Sequence, residues 1–99
     1  MKLVFTEQAL DSLQELLDFI GPEISQDKLI AIRDRILDKA DTLCLNPLKG
    51  QKEPFLEHLG LAHRRIIESH FKIIYRVVGD CIYITDIFDS RQDVDKMKG

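Results

Sequence analysis

The chain has too few cysteines for a disulfide framework. There are two, Cys44 and Cys81, and their spacing fits neither a set of bridges nor a zinc site. It also lacks an excess of positive charge: 14 Lys and Arg stand against 17 Asp and Glu, for a net charge of −3. Affinity for nucleic acid would therefore have to come from a local basic patch. No apolar run is long enough to span a bilayer. The opening Met1-Lys2-Leu3-Val4-Phe5 turns polar too soon for a secretory signal. Around Gly50, with Lys49 and Lys52 beside it, the glycine-rich spacing of a phosphate loop is missing. His58, His63 and His70 have no Cys or acidic cluster at ligand spacing, so neither a metal nor a cofactor is expected. Repeats and low-complexity tracts are absent as well. What remains is 99 residues, 44% hydrophobic and 31% charged, which reads as one globular domain over residues 1–99, cytoplasmic and with free thiols.

The elements follow from periodicity and capping. Lys2 to Phe5 predicts a strand, and Thr6 is placed to cap a helix with Glu7 in its first turn. Leu10, Leu13, Leu16, Leu17 and Ile20 share one helical face, and Gly21-Pro22 stops the helix. Ser25 is placed to cap a second helix, with Asp27 in its first turn and a stripe of Leu29, Ile32, Ile36, Leu37, Ala40 and Leu43. The short connection favours an antiparallel helical hairpin. Residues 46–62 read as loop. A three-stranded antiparallel meander follows: Arg64 to Glu68, Phe71 to Val78, and Cys81 to Phe88, turned at Ser69-His70 and Gly79-Asp80. Ser90 could cap a final helical turn. The tail carries few apolar anchors and is expected to be mobile. The fold class is α+β.

Two-residue turns fix a register and sort the side chains by face. Val77 should face Ile82, Tyr75 face Ile84, Ile73 face Asp86, and Ile66 face Ile73, giving an apolar face against the helices. The other face collects Arg65, Ile67, Lys72, Ile74, Arg76, Tyr83, Thr85 and Ile87, with His63 at the same parity as Arg65. Arg91, just past the last strand, can fold over it. Such a face suits phosphate or carboxylate contact. An ordinary solvated face is the alternative, but Ile67, Ile74 and Ile87 there call for a cover, either a loop or a partner chain. Cys44 and Cys81 read as small buried apolar groups, since no base sits near Cys81 in sequence. Asp86, Asp89 and Asp93 read as capping or solvated carboxylates, one of them a partner for Arg91.

Three segments carry a family resemblance: Leu45-Asn46-Pro47-Leu48-Lys49-Gly50; Tyr75-Arg76-Val77 with Gly79-Asp80; and Ile84-Thr85-Asp86-Ile87-Phe88-Asp89-Ser90-Arg91-Gln92-Asp93. With the order strand, two helices, loop and meander, the chain resembles the RelE/ParE toxins of bacterial type II toxin–antitoxin systems, some of which serve in plasmid stabilisation. The resemblance covers nearly the whole chain. It implies a growth-inhibiting toxin with a cognate antitoxin, no membrane association and no sequence-specific DNA binding by the toxin alone. In the metal-independent, ribosome-dependent mRNA endonuclease branch the catalytic positions would fall on His63, Arg65, Lys72 and Arg91. Two departures stand out there: Lys72 replaces a typical arginine, and Met97 stands where a tail tyrosine is expected. In the ParE-like branch, whose target is DNA gyrase, Arg65, Lys72, Arg76, Tyr83 and Arg91 become target- or partner-contacting residues. The acidic net charge and the segment Asp89 to Asp93 favour that branch. The remaining possibility is an inactive member that serves only as a binding module.

Overall fold

Two hydroxyl caps set the helical layer. In the computed structural model, which describes residues 1–99, strand β1 (Lys2–Phe5) leads into helix α1 (Glu7–Ile20). Thr6 Oγ1 accepts the Ala9 N–H at 3.1 Å and donates to the Ile84 carbonyl at 3.0 Å, so one residue both caps α1 and fastens it to the sheet. Gly21-Pro22 ends α1 in a short 3-10 turn, and Ser25 Oγ caps helix α2 (Gln26–Asp41) through the Lys28 N–H. The buried stripe of α1 is Ala9, Leu13, Leu16 and Leu17. Leu10 lies off that stripe and is half-exposed, contrary to the sequence expectation; the small Ala9 takes the inward position.

The sheet has five strands, in the order β1-β5-β4-β3-β2, and is mixed. The predicted meander is its centre: β3 (Arg64–Glu68), β4 (Phe71–Val78) and β5 (Cys81–Asp89). β1 joins alongside β5 in parallel, as the helical crossover between them permits. The segment read as loop contributes a two-residue strand, β2 (Gln51–Lys52), on the outer edge of β3, then a 3-10 helix over Pro54–Leu59. Both hairpin turns fall where expected. Ser69 has to adopt a left-handed φ of 56° without being glycine, a conformation that costs about 1–2 kcal/mol. Ser90 steadies that turn, donating to the His70 carbonyl from both its N–H (2.9 Å) and its hydroxyl (2.7 Å).

One register differs from the expectation, and it reassigns a face. Val77 pairs with Ile82 and Tyr75 with Ile84, but Ile74 then pairs with Asp86 and Ile73 with Ile87. Thr85 is the extra residue of a β-bulge. Its freed carbonyl accepts from Gln8 Nε2 at 2.8 Å, which explains how the ladder tolerates the interruption. Beyond the bulge the parity flips. Ile87 joins the main core with Ile66, Ile73, Tyr75, Ile82 and Ile84, while Phe88 passes to the opposite face. There Phe88 packs with Ile74, Leu56 of the 3-10 helix and Met97 of the tail. The cover called for by the isoleucines is thus largely the chain itself; Ile67 alone of the three stays half-exposed. The tail is correspondingly held, not loose, because Met97 is a buried anchor. No helix is long and apolar enough to cross a membrane.

Candidate functional site

The sheet face away from the helices carries the predicted cations, and the segment that crosses it decides what they can do. Glu53 follows β2 directly, and its N–H donates to the His63 carbonyl at 2.9 Å. That extends the β2–β3 ladder by one rung and turns the Glu53 side chain onto the sheet. The carboxylate caps the 3-10 helix by accepting the Phe55 N–H at 3.3 Å. It also meets Lys72 Nζ at 3.0 Å and Arg65 Nε at 3.8 Å. Its side chain is 0% exposed, against 17% for Lys72 and 21% for Arg65. The Lys72 ammonium lies 5.4 Å from the centre of the Phe55 ring, close enough for a cation–π contact. Two of the cations singled out in the sequence therefore share one carboxylate from within the chain, which offsets one of their two charges. Nothing in the sequence marked Glu53, because the ladder rung that positions it lies in a stretch without periodicity.

The arginines of this region, Arg65 among them, also serve as ties. Arg65 Nη1 donates to the Lys52 carbonyl at 2.6 Å and Nη2 to Gln51 Oε1 at 3.2 Å. Arg64 Nη1 donates to the Gly50 carbonyl at 2.7 Å, while the Gly50 N–H donates to the Tyr75 hydroxyl at 3.0 Å. Gly50 has to be glycine: a Cβ there would sit 2.6 Å from the Arg65 carbonyl oxygen and 2.6 Å from the Tyr75 hydroxyl. Arg76 Nε donates to the Leu61 carbonyl at 3.1 Å, and the half-buried Tyr83 lies opposite Arg76 on the neighbouring strand. Residues 50–61 are thus stitched to the sheet by five side-chain hydrogen bonds from two strands, β3 and β4.

His63 is 3% exposed, and neither ring nitrogen has a hydrogen-bond partner. Burial, aided by the positive charge of Arg76, holds its pKa below the usual histidine value, so the imidazole is neutral at pH 7. Arg91 sits at the far end of β5. Its Nε and Nη2 grip Asp89 at 3.0 and 2.7 Å, and its N–H donates to the same carboxylate at 3.0 Å. That guanidinium beside Asp89 keeps the carboxyl below the ordinary carboxylate range. Arg91 itself remains 60% exposed. Of the sequence-derived set, then, Arg65 and Lys72 meet at Glu53, His63 lies with Arg76 toward the other end of β4, and Arg91 stands apart with Asp89. Both cysteines are free thiols.

A second group gathers around Asp86, which the sequence placed among capping or solvated carboxylates and which is in fact buried. The tail crosses the same face, with Met97 in the small core and the Lys98 N–H donating to Asp86 Oδ2 at 2.9 Å. Asp86 is buried, which raises its carboxyl pKa even though Ser12 and Lys98 donate to it. A cleft of about 440 Å³ opens beside this crossing, between α1, the end of β5 and the tail; Ser12, Glu15, Phe19, Asp89, Lys96 and Lys98 are among its walls.

Comparison with known proteins gives a consistent picture. Residues 3–94 match the sequence family described as the ParE toxin of the type II toxin–antitoxin system parDE. Among solved structures, a chain of the chromosomal ParDE TA system from P. aeruginosa superposes with a TM-score of 0.71 at 22% identity, over 88% of this chain and 92% of that one, which supports the fold. No curated protein sequence matches.

Proposed function

Because the chain belongs to the ParE toxin family of type II toxin–antitoxin systems, we propose that it arrests growth by engaging a protein target, DNA gyrase, and that a cognate antitoxin neutralises it. The observation that carries the choice of target class is the Glu53 cluster. Cleavage of RNA needs uncompensated charge at the phosphate, together with a proton acceptor and a proton donor within reach. Here the carboxylate of Glu53 offsets one of the two charges of Lys72 and Arg65 and holds Lys72 at 3.0 Å. His63 is enclosed at the other end of β4, and residue 97 is a methionine seated in a core. Those positions do not converge on an open, phosphate-sized space.

Arg91 is the cation best presented to a large partner. It projects past the end of β5 and stays 60% exposed, and with Nε and Nη2 held on Asp89 its position is fixed while no bond is made by Nη1. Preorganisation of this kind lowers the ordering cost of binding. The acidic net charge likewise favours a protein surface over nucleic acid as the first contact. The test is twofold. Purified protein should inhibit gyrase-dependent supercoiling and co-purify with gyrase, and primer extension on messenger from arrested cells should show intact transcripts. Discrete cleavage within translated codons, lost in Lys72→Ala, would overturn the gyrase reading and reinstate a ribosome-dependent nuclease.

A further inference from the structure

The last residues cross the sheet as a bound peptide would. Met97 fills a slot between Leu56, Ile74 and Phe88. The next N–H, that of Lys98, is accepted by the buried carboxylate of Asp86, and the Gly99 carbonyl is reached by Gln8 Nε2 at 3.4 Å. One apolar side chain in a slot, with alternating backbone donor and acceptor contacts beside it, is how extended segments are recognised on sheets.

The fit is incomplete. Three buried side-chain atoms have no hydrogen-bond partner: Nδ1 and Nε2 of His63, which lies against this crossing, and Oγ1 of Thr85, whose backbone carbonyl is bonded by the same Gln8 amide as the tail. His63 lies against Gly99, since a Cβ built on that glycine would stand 2.8 Å from the ring's Nε2 and Cε1 and 2.6 Å from Leu59 Cδ1. Thr85 shares the Gln8 amide with Gly99. Buried polar groups left without partners are costly, and such gaps are uncommon in a settled interior. The tail therefore seals the slot while leaving its polar floor unanswered.

We infer that residues 97–99 are a stand-in ligand in a peptide-binding slot, displaceable by an extended acidic segment of a partner chain that places an apolar side chain where Met97 sits and a carboxylate at His63. The carboxylate follows from what surrounds that end of the slot. His63 in its neutral form has one N–H to donate. Arg76 is close enough to act on the ring electrostatically, spends only Nε on Leu61, and takes part in no ion pair. Gly99 lies too near the ring for any side chain at its own position. An occupant with a side chain there has to ride further out, and a carboxylate on that side chain would face the ring and the positive charge of Arg76. The slot is separate from Arg91 and does not depend on what the toxin inhibits.

The test uses the intact 99-residue chain and two short fluorescein-labelled peptides, serine-flanked leucine-serine-glutamate and leucine-serine-glutamine, read by anisotropy. The wild type should bind the glutamate peptide weakly. Met97→Ser, which empties the slot, should bind it about tenfold more tightly because the closed tail no longer competes. Lys98→Pro, which removes only the N–H that Asp86 accepts, should act in the same direction and serves if Met97→Ser proves poorly folded. The glutamine peptide should bind several-fold more weakly than the glutamate peptide, and His63→Ala should abolish that difference. Absence of binding in the folded variants, affinity unchanged from wild type, or equal affinity for the two peptides would each overturn the inference. None of these readouts involves growth arrest or gyrase, so failure here leaves the target assignment standing, and the reverse holds as well.

Discussion

Replacing Glu53 by glutamine isolates the charge at the centre of the second sheet face. The amide keeps an oxygen to cap the 3-10 helix at Phe55, so the loss is confined to the ion cluster. At 3.0 Å and an effective dielectric constant of about 20, the Glu53–Lys72 attraction is roughly 5 kcal/mol before desolvation is subtracted. Removing one member of a fully buried pair costs about 3–5 kcal/mol, since the other charge is stranded. Lys72 keeps 17% of its side-chain surface in water, which lets it recover some hydration. We therefore expect Glu53→Gln to cost about 2–3 kcal/mol, a drop in melting midpoint of about 8–24 °C for a domain of this size. Thermal and urea melts followed by circular dichroism measure it. Because the carboxylate is fully covered, the loss should persist in high salt. The double variant Glu53→Gln/Lys72→Met should regain part of the stability by removing the stranded charge. A midpoint within about 2 °C of wild type would refute the reasoning. So would a double variant no more stable than the single one, because Lys72 would then not depend on Glu53.

Three further outcomes follow from the same geometry. Gly50→Ala should destabilise by about 2–4 kcal/mol in urea melts, because the added Cβ meets a backbone carbonyl and a fixed phenol, neither of which can yield cheaply. His63 has a depressed pKa, so its contribution is full above the unfolded value of about 6.5 and is lost as pH falls below it. Stability should decline on acidification from about pH 7 to 5, and His63→Leu should flatten that slope; an unchanged slope would place the effect elsewhere. Arg91→Ala should abolish growth inhibition in an inducible expression assay while leaving the circular dichroism spectrum unchanged, with a lower melting midpoint because the nearly buried Asp89 carboxylate loses its partner.

The caps at Thr6 and Ser25, both hairpin turns and the central register as far as Tyr75 were legible because each depends on residues close in sequence. The α1 stripe was legible except at Leu10, where periodicity alone could not tell that Ala9 fits under the sheet better than a leucine. The bulge at Thr85 was not legible, since a two-residue period has no local mark for one extra residue, and everything beyond it was assigned to the wrong face. Ile87 and Phe88 exchanged sides for that reason, and the apparent apolar surface shrank with them. In the candidate site, the cationic residues could be named but their charge state as a group could not. Glu53 comes from a stretch with no periodic signal and reaches Lys72, 19 positions away, only once β2 has paired. The tail was misjudged by composition, because a single methionine suffices as an anchor when a slot is already waiting for it.

β1 has its only strand partner in β5, and the Thr6 hydroxyl that caps α1 bonds a carbonyl 78 positions further along the chain. During synthesis the first strand therefore emerges long before the strand that can receive it. α1 is likewise without the β-sheet surface that its apolar stripe covers. Closure of such distant pairs comes late in folding. A nascent chain halted before β5 has left the ribosome would lack the sheet's central ladder as well as its parallel edge. The fold is thus assembled only when translation of this segment is complete, and products of interrupted messages would lack the sheet on which every candidate site residue is mounted.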